Sequence, residues 1–584
     1  MSSDRIDNSN LGMSLGAQET ASTLAPSEPS QEEREEYYYG FAGKSKLVAR
    51  TSCGVWTKPQ HVEGWDEELC QTRKRYAAIC GDDIVQKWSK DICFQLAQAL
   101  KGYRWNYFFP IRIGLDIRRF EHNCSTVLLI GVDEDTLCWK DGISVALHCR
   151  TILQDAQISD VEVEIIEGRY HHSAVSTELE TLFNPETTGQ AHIHTTMQPM
   201  LSSPGFPLGY LEDRRDQGTL GLYLRFADHE PIYGLTCRHV VRGDRKVDES
   251  YKYSGAGQPQ YHIQGNETTF YDWQIDLEAT LAENNKFIKS TEEAYGRWDS
   301  YQQYDEKKQH LCPTKQDREH LQRQKLLAVY TEKVIQCVSQ FPQKSQRTIG
   351  HLAFHSAFQV STRKPGYLTD WGLIELDLKK YEDHPENRVF IELDFKKHED
   401  YPENRVLFNT KHMPEMPSHQ LDVMLSKMDK GHLPLSGIVP EEHDSFFVAK
   451  RGARTGLTTG VKNEIEAVIR LPACGSDDIL CWQMLIVPVK GTDKFSDCGD
   501  SGSTVFDYKG RIVGLVTAST HEPRPKDGKR KKRTGQNVVP DTAGEVDAAE
   551  LGTLVDGTDI TFAAPIQWVL DDIESFTGMK PEII

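Results

Sequence analysis

The 584-residue chain has no apolar run of membrane-spanning length, which argues against a helical channel or transporter. Its first residues, Met1-Ser-Ser-Asp-Arg-Ile-Asp, lack the apolar core of a secretory leader. The thirteen cysteines are an odd number with no Cys-x-x-Cys pair, a pattern expected of reduced thiols in the cytosol or nucleus rather than of a disulfide framework. Net positive charge is also missing. The formal charge of −20 sets an overall field that repels phosphates, so broad binding to nucleic acid or anionic membrane is not expected. There is no phosphate loop, no dinucleotide fingerprint and no metal-ligand spacing, and no cofactor or metal is expected. His171-His172 and His192-Ile-His194 lack a suitably spaced cysteine or carboxylate and are read as parts of a solvated linker.

What remains is an ordinary globular composition, 38% apolar and 26% charged, in a chain long enough for two to four domains. Residues 1–40 are rich in Ser, Glu, Asn and Thr without apolar periodicity and are read as a disordered tail. Residues 41–170 read as a small α/β domain. Asp82-Asp83 can cap a helix with Ile84, Trp88, Ile92, Leu96 and Leu100 on one face. Strands are predicted near 111–117, 125–132 and 161–166, with a helix over 139–156. This domain is expected to bind a partner or to regulate the C-terminal domain. A polar linker, 171–200, leads to that last domain, over 201–584.

The chemistry concentrates in the last domain. Cys498-Gly-Asp-Ser-Gly-Ser503 precedes an apolar strand, and glycines on both sides of Ser501 permit a sharp loop that presents its hydroxyl. A glycine-rich surface turn is the plain alternative. A serine nucleophile needs a base and an orienting carboxylate. Tyr233–Val241 is an apolar strand ending at His239, and Thr369–Asp377 opens another strand with Asp370. The chain order His239, Asp370, Ser501 is one of three known for such triads.

On these stretches the chain resembles the trypsin/chymotrypsin-like serine peptidases. Leu235–His239 resembles their histidine strand, Asp370–Leu376 their aspartate strand and Gly499–Ser503 their serine loop. Lys450–Gly460 is similar to the hairpin before the serine loop in bacterial members, and Asp559–Ile573 to their closing strand and helix. The resemblance covers about residues 200–584. The whole chain also resembles intracellular proteins of filamentous fungi that carry such a domain after an uncharacterised N-terminal region.

The resemblance implies a multidomain protein whose C-terminal part is an all-β chymotrypsin-like double β-barrel. Its implied activity is that of an intracellular serine endopeptidase acting on proteins or peptides. His239, Asp370 and Ser501 would be the triad, and the N–H groups of Gly499 and Ser501 the oxyanion hole. Phe495 and Ser519 would line the primary pocket, implying an apolar or small P1 residue. Asp500 needs an internal basic partner, with Arg451 and Arg454 as candidates, or a loop that forms only when a partner binds. The alternative function is a catalytically silent protease-like scaffold serving as an interaction module.

Three insertions are expected. Residues 266–341 carry two helical stripes that can pair as a hairpin, serving as plain structure, docking arm or gate. Residues 374–407 are a tandem 17-residue repeat that puts Asp377 and Asp394 in identical contexts. Residues 521–557 are a basic disordered loop. It holds Lys529-Arg-Lys-Lys-Arg533, either a nuclear-import signal or solvated loop charge.

Overall fold

The computed structural model describes residues 25–41, 45–58, 74–115, 124–168, 170–172, 203–211, 217–227, 229–242, 249–302, 313–339, 343–361, 366–377, 404–407, 416, 418–429, 432–440, 447–471, 479–489, 494–520 and 559–584. His192, His194, Asp394 and Lys529–Arg533 lie outside these residues. Among the described residues no helix is long and apolar enough to cross a membrane.

The chain opens with β1 (Leu47–Arg50), β2 (Lys74–Ala77), β3 (Trp105–Leu115), β4 (Ser125–Val132), β5 (Glu162–Glu167) and the short β6 (His171–His172). Strand β4 is almost wholly buried, as its apolar run predicts, and lies parallel to β5 across the helix Trp139–Asp155. Strands β1 and β3 flank them antiparallel. That helix and a second, Lys90–Ala99, bury Val145, Ala146, Cys149, Leu153, Ile92 and Leu96 on one face of the sheet. The predicted continuous helix from Asp83 is two helices, Asp83–Lys87 and Lys90–Ala99. Ser89 breaks it by accepting the Ile92 N–H as an N-cap.

The next strands are β7 (Phe206–Tyr210), β8 (Gln217–Leu220), β9 (Leu222–Phe226), β10 (Ile232–Thr236), β11 (Tyr251–Lys252), β12 (Tyr261–Gln264), β13 (Thr348–His355) and β14 (Gly372–Leu376). Pairing runs β9-β10-β14-β13-β12-β7-β8, and β8 continues into β9 through Gly221, so the sheet rolls into a first barrel. A side chain at Gly221 would meet the Gly502 carbonyl at 2.0 Å, so only glycine lets the serine loop approach here. Between β12 and β13, the helices Glu267–Gln302 and Lys315–Val338 form a hairpin that buries Phe270, Leu277, Val334 and Val338.

Strands β15 (Arg405–Leu407) and β16 (His432–Pro434) pair as a small ribbon. The second repeat copy has a structural role here: the Asn404 side chain bonds both the N–H and the C=O of Tyr223, each at 2.7 Å. The second barrel comes next, with β17 (Phe447–Gly452), β18 (Gly456–Lys462), β19 (Ala467–Leu471), β20 (Ile479–Pro488), β21 (Thr504–Asp507), β22 (Ile512–Ser519) and β23 (Thr561–Pro565). The circuit β17-β18-β20-β23-β22-β21-β17 closes by hydrogen bonds. Strand β19 lies outside this circuit, pairing with the first half of β20 and with β3. The N-terminal sheet is therefore continuous with the second barrel. The C-terminal helix Ile566–Thr577 returns to the first barrel, where Asp572 accepts from the Trp371 indole at 2.6 Å, and β24 (Pro581–Ile583) pairs with β9.

Candidate active site

His239 sits in the short helix Arg238–Arg242 that begins just after β10 ends, and Asp370 lies two residues before the start of β14, the neighbour of β10. The pairing of those strands brings the two side chains together. Asp370 Oδ2 lies 2.7 Å from His239 Nδ1, and Oδ1 accepts the His239 backbone N–H at 3.1 Å. This two-point grip fixes the ring and favours the tautomer protonated at Nδ1, leaving Nε2 to act as a base. Asp377, in the same repeat context as Asp394, extends β14 and donates its N–H to Ile349. Of the described acidic candidates, Asp370 is the one bound to His239.

Ser501 comes from the other barrel, on the loop between β20 and β21. The loop is stitched to the first barrel. Thr219 donates its N–H to the Ser501 carbonyl at 2.8 Å and its hydroxyl to the Gly499 carbonyl at 2.9 Å. Thr504 donates to the Gly221 carbonyl, and the Cys237 thiol to the Val516 carbonyl at 3.2 Å. Gly499 and Gly502 have φ of 107° and 90°, and a side chain at Gly502 would strike Thr236. Ser501 itself is 0% exposed, His239 5% and Asp370 4%, so the site is closed over. The Ser501 hydroxyl donates to the Thr517 main-chain carbonyl at 3.1 Å.

Asp500 is wholly buried beneath the loop and is held internally. Its Oδ2 accepts from Lys450 Nζ at 3.1 Å, the Thr455 hydroxyl at 2.7 Å and the Asp497 N–H at 3.0 Å. Its Oδ1 accepts the backbone N–H groups of Arg454 and Thr455. The cation expected at Arg451 or Arg454 is therefore Lys450, with Arg454 meeting Asp500 through its main chain. Burial pulls the Lys450 ammonium below its ordinary value, against the opposing pull of Asp500. Strand alternation is the signal that finds it: Val448 faces the barrel interior, so Lys450 two residues on does too.

The pocket candidates divide. Phe495 is 0% exposed and packs with Val448, Met484, Ile486 and Val516 inside the second barrel, so its ring belongs to that core. Ser519 is buried at the end of β22, opposite Thr561. Four residues not assigned to the site from sequence make two polar contacts nearby. The hydroxyls of Ser496 and Thr561 lie 2.6 Å apart, and Asp559 accepts from the Thr520 hydroxyl at 2.8 Å. Burial pushes the Asp559 carboxyl up to about 7. Cys237, His239 and Asp370 are metal-ligand types with donor atoms within 4.8 Å of one another. Burial keeps the Cys237 thiol far above its ordinary value, however, so it is a protonated donor and a poor ligand.

No family model matches the sequence, and no curated protein matches it. Solved structures do. Thermobifida fusca Protease A is 11% identical, with 66% of this chain and 100% of that one covered, at a TM-score of 0.25. A glutamic acid-specific serine protease that uses a histidine triad in substrate binding is 9% identical over 65% and 98%, also at 0.25. Cellulomonas bogoriensis chymotrypsin is 13% identical over 41% and 77%, at 0.19. These likenesses are too slight to bear on activity. The two-barrel assignment rests on the strand pairings.

Proposed function

We propose that the chain is a serine endopeptidase that hydrolyses peptide bonds through His239, Asp370 and Ser501. The observation that carries this reading is the double hydrogen bond of Asp370 to His239, made where the serine loop is bonded to the first barrel. His239 takes the Ser501 proton as Oγ attacks the peptide carbonyl, and Asp370 stabilises the imidazolium. The N–H groups of Gly499 and Ser501 stabilise the tetrahedral oxyanion, where loss of one donor costs about 3 kcal/mol in other enzymes. His239 then protonates the leaving amine, and water resolves the acyl-enzyme. Attack requires the Ser501 hydroxyl to give up its bond to the Thr517 carbonyl.

A second reading, a silent protease-like scaffold, draws support from that same hydroxyl and from the complete burial of Ser501. Labelling by a fluorophosphonate probe separates the two. An active or activatable enzyme labels at Ser501 and loses labelling in Ser501→Ala, whereas a folded wild type that never labels is a scaffold.

With the Phe495 ring in the barrel core, the proposed preference for a small or apolar P1 side chain rests on Ser519 alone. A peptide-library profile dominated by Arg or Asp at P1 removes that preference. Nuclear import through Lys529–Arg533 is proposed on sequence alone, and replacing the pentamer by alanines in a fluorescent fusion tests it.

A further inference from the structure

Strand β22 has two edges. Strand β23 occupies one along its length, from Gly514↔Pro565 to Ser519↔Thr561. The other edge is filled in three successive steps. Strand β21 pairs from Phe506↔Ile512 to Thr504↔Leu515. The serine loop continues the ladder, with Gly502 N–H to the Val516 carbonyl at 2.8 Å and Val516 N–H to the Ser503 carbonyl at 2.9 Å. Thr517 then receives the Ser501 hydroxyl. The next two positions, Ala518 and Ser519, are taken by β6, antiparallel, as His172↔Ala518 and His171↔Ser519.

This edge leads straight to the nucleophile. A peptide adding to it as an antiparallel strand would run from Ser519 toward Thr517 and bring its next carbonyl to Ser501. Main-chain pairing of this kind supplies affinity without regard to sequence. Each edge position accepts one partner strand, because its N–H and C=O groups are spent once. Strand β6 runs in that same direction, with His172 closer to Ser501 than His171.

The occupant is also anchored. Only three residues separate β5 from β6, and the first of them, Gly168, is bonded at both ends, to the Val132 carbonyl and from the Asn106 amide, each at 2.9 Å. Tyr170 packs its ring against Phe562, with centroids 5.2 Å apart. So short a tether gives the strand a high effective concentration at the edge.

We propose that His171–His172 is a built-in pseudo-substrate strand: it fills the backbone site beside Ser501, and a peptide must displace it to bind. The N-terminal sheet that carries β6 thereby sets the resting activity. The occupancy stands on the strand register alone, while its inhibitory consequence rests on the protease reading.

The test replaces both residues, His171→Pro with His172→Pro, since proline has no N–H to give the ladder and is not tolerated within one. In a Ser501→Ala background, a fluorescein-labelled peptide of the sequence Glu-Gly-Arg-Tyr-His-His-Ser-Ala-Val is titrated by anisotropy. We expect the double variant to bind it at least tenfold more tightly than the parent. Equal binding, or none by either protein, overturns the proposal. With Ser501 intact, we expect fluorophosphonate labelling at least tenfold faster in the double variant. Equal labelling rates overturn the inhibitory role while leaving the nucleophile established. A gain in peptide binding with no labelling in either protein supports the occupied edge and rejects the protease. Should the double variant fail to fold, Tyr170→Leu removes the anchor and leaves the backbone intact. A smaller change in the same direction is expected, and no change in either assay overturns the proposal.

Discussion

The two barrels follow one strand plan and both bury charge, Arg238 and Asp370 in the first and Lys450 and Asp500 in the second, but they differ in the further titratable groups they enclose. The first buries His262 and His355 as neutral rings. Burial pulls both down to about 4, and each ring is held by a main-chain carbonyl, of Gln260 and Ser356 respectively. The second buries ions or near-ions: the Lys450–Asp500 pair beneath the serine loop, and Asp559 beside Thr520. The difference reflects the residues that each barrel holds. In the first, the site residues stand just beyond the ends of two paired strands, and that pairing, with the Asp370 carboxylate's two bonds to His239, places them. In the second, Ser501 stands on a loop containing two left-handed glycines, and a carboxylate that gathers five donors is what gives such a loop one shape.

The largest expected effect belongs to the contact that joins the site across the first barrel. Asp370→Asn preserves shape but favours the wrong imidazole tautomer, and kcat/KM should fall about 10⁴-fold, as in other triads of this type. Hydrolysis of a fluorogenic peptide measures it, with Asp377→Asn as the control expected to stay near wild type. An Asp370→Asn enzyme of full activity would remove His239 and Asp370 from the chemistry.

Next in size is the charge pair of the second barrel. Lys450→Ala leaves Asp500 buried without its cation, and breaking such a pair typically costs about 3–5 kcal/mol. Urea unfolding followed by tryptophan fluorescence should show that loss. Adding Asp500→Asn should restore at least half of it, because the double variant has no uncompensated charge. A loss below about 1 kcal/mol in Lys450→Ala would mean that the backbone donors alone hold the loop.

The same contrast divides what sequence can disclose. The three motifs around His239, Asp370 and Ser501 are legible because each is local: a strand end, a strand start and a glycine-flanked turn. Lys450 is harder, because its partner is about fifty residues away and two arginines stand closer to hand in the sequence. Alternation along β17 selects the lysine only once the inward face is known. Phe495 is misread for the same reason, since position in a motif does not say which way a side chain points. The pairing of β3 with β19 and of β6 with β22 joins segments hundreds of residues apart, and local periodicity carries no information about such partners. The helix break at Ser89 is available as an N-cap but is hidden by apolar residues at spacings of four on either side.

The smallest expected effect is also the sharpest division of the barrels, because the two kinds of buried group titrate in one pH window with opposite signs. His262 and His355 have folded values near 4 against an ordinary 6.5. Between those limits the unfolded chain binds more protons, so their contribution to stability falls as pH drops from 6.5 toward 4. Asp559 has a folded value near 7 against an ordinary 3.8. There the folded chain binds more protons, so stability falls as pH rises from 4 toward 7. A pKa displaced by one pH unit changes stability by about 1.4 kcal/mol at most, and in the wild type the two slopes partly cancel. Asp559→Asn should therefore steepen the loss of stability on acidification. His262→Gln with His355→Gln should reverse it, leaving a protein more stable at pH 5 than at pH 7. Midpoints of urea unfolding at half-unit intervals of pH decide the matter. If neither variant changes the slope, the charge states assigned to both barrels are wrong; if only one does, the contrast holds for that barrel alone.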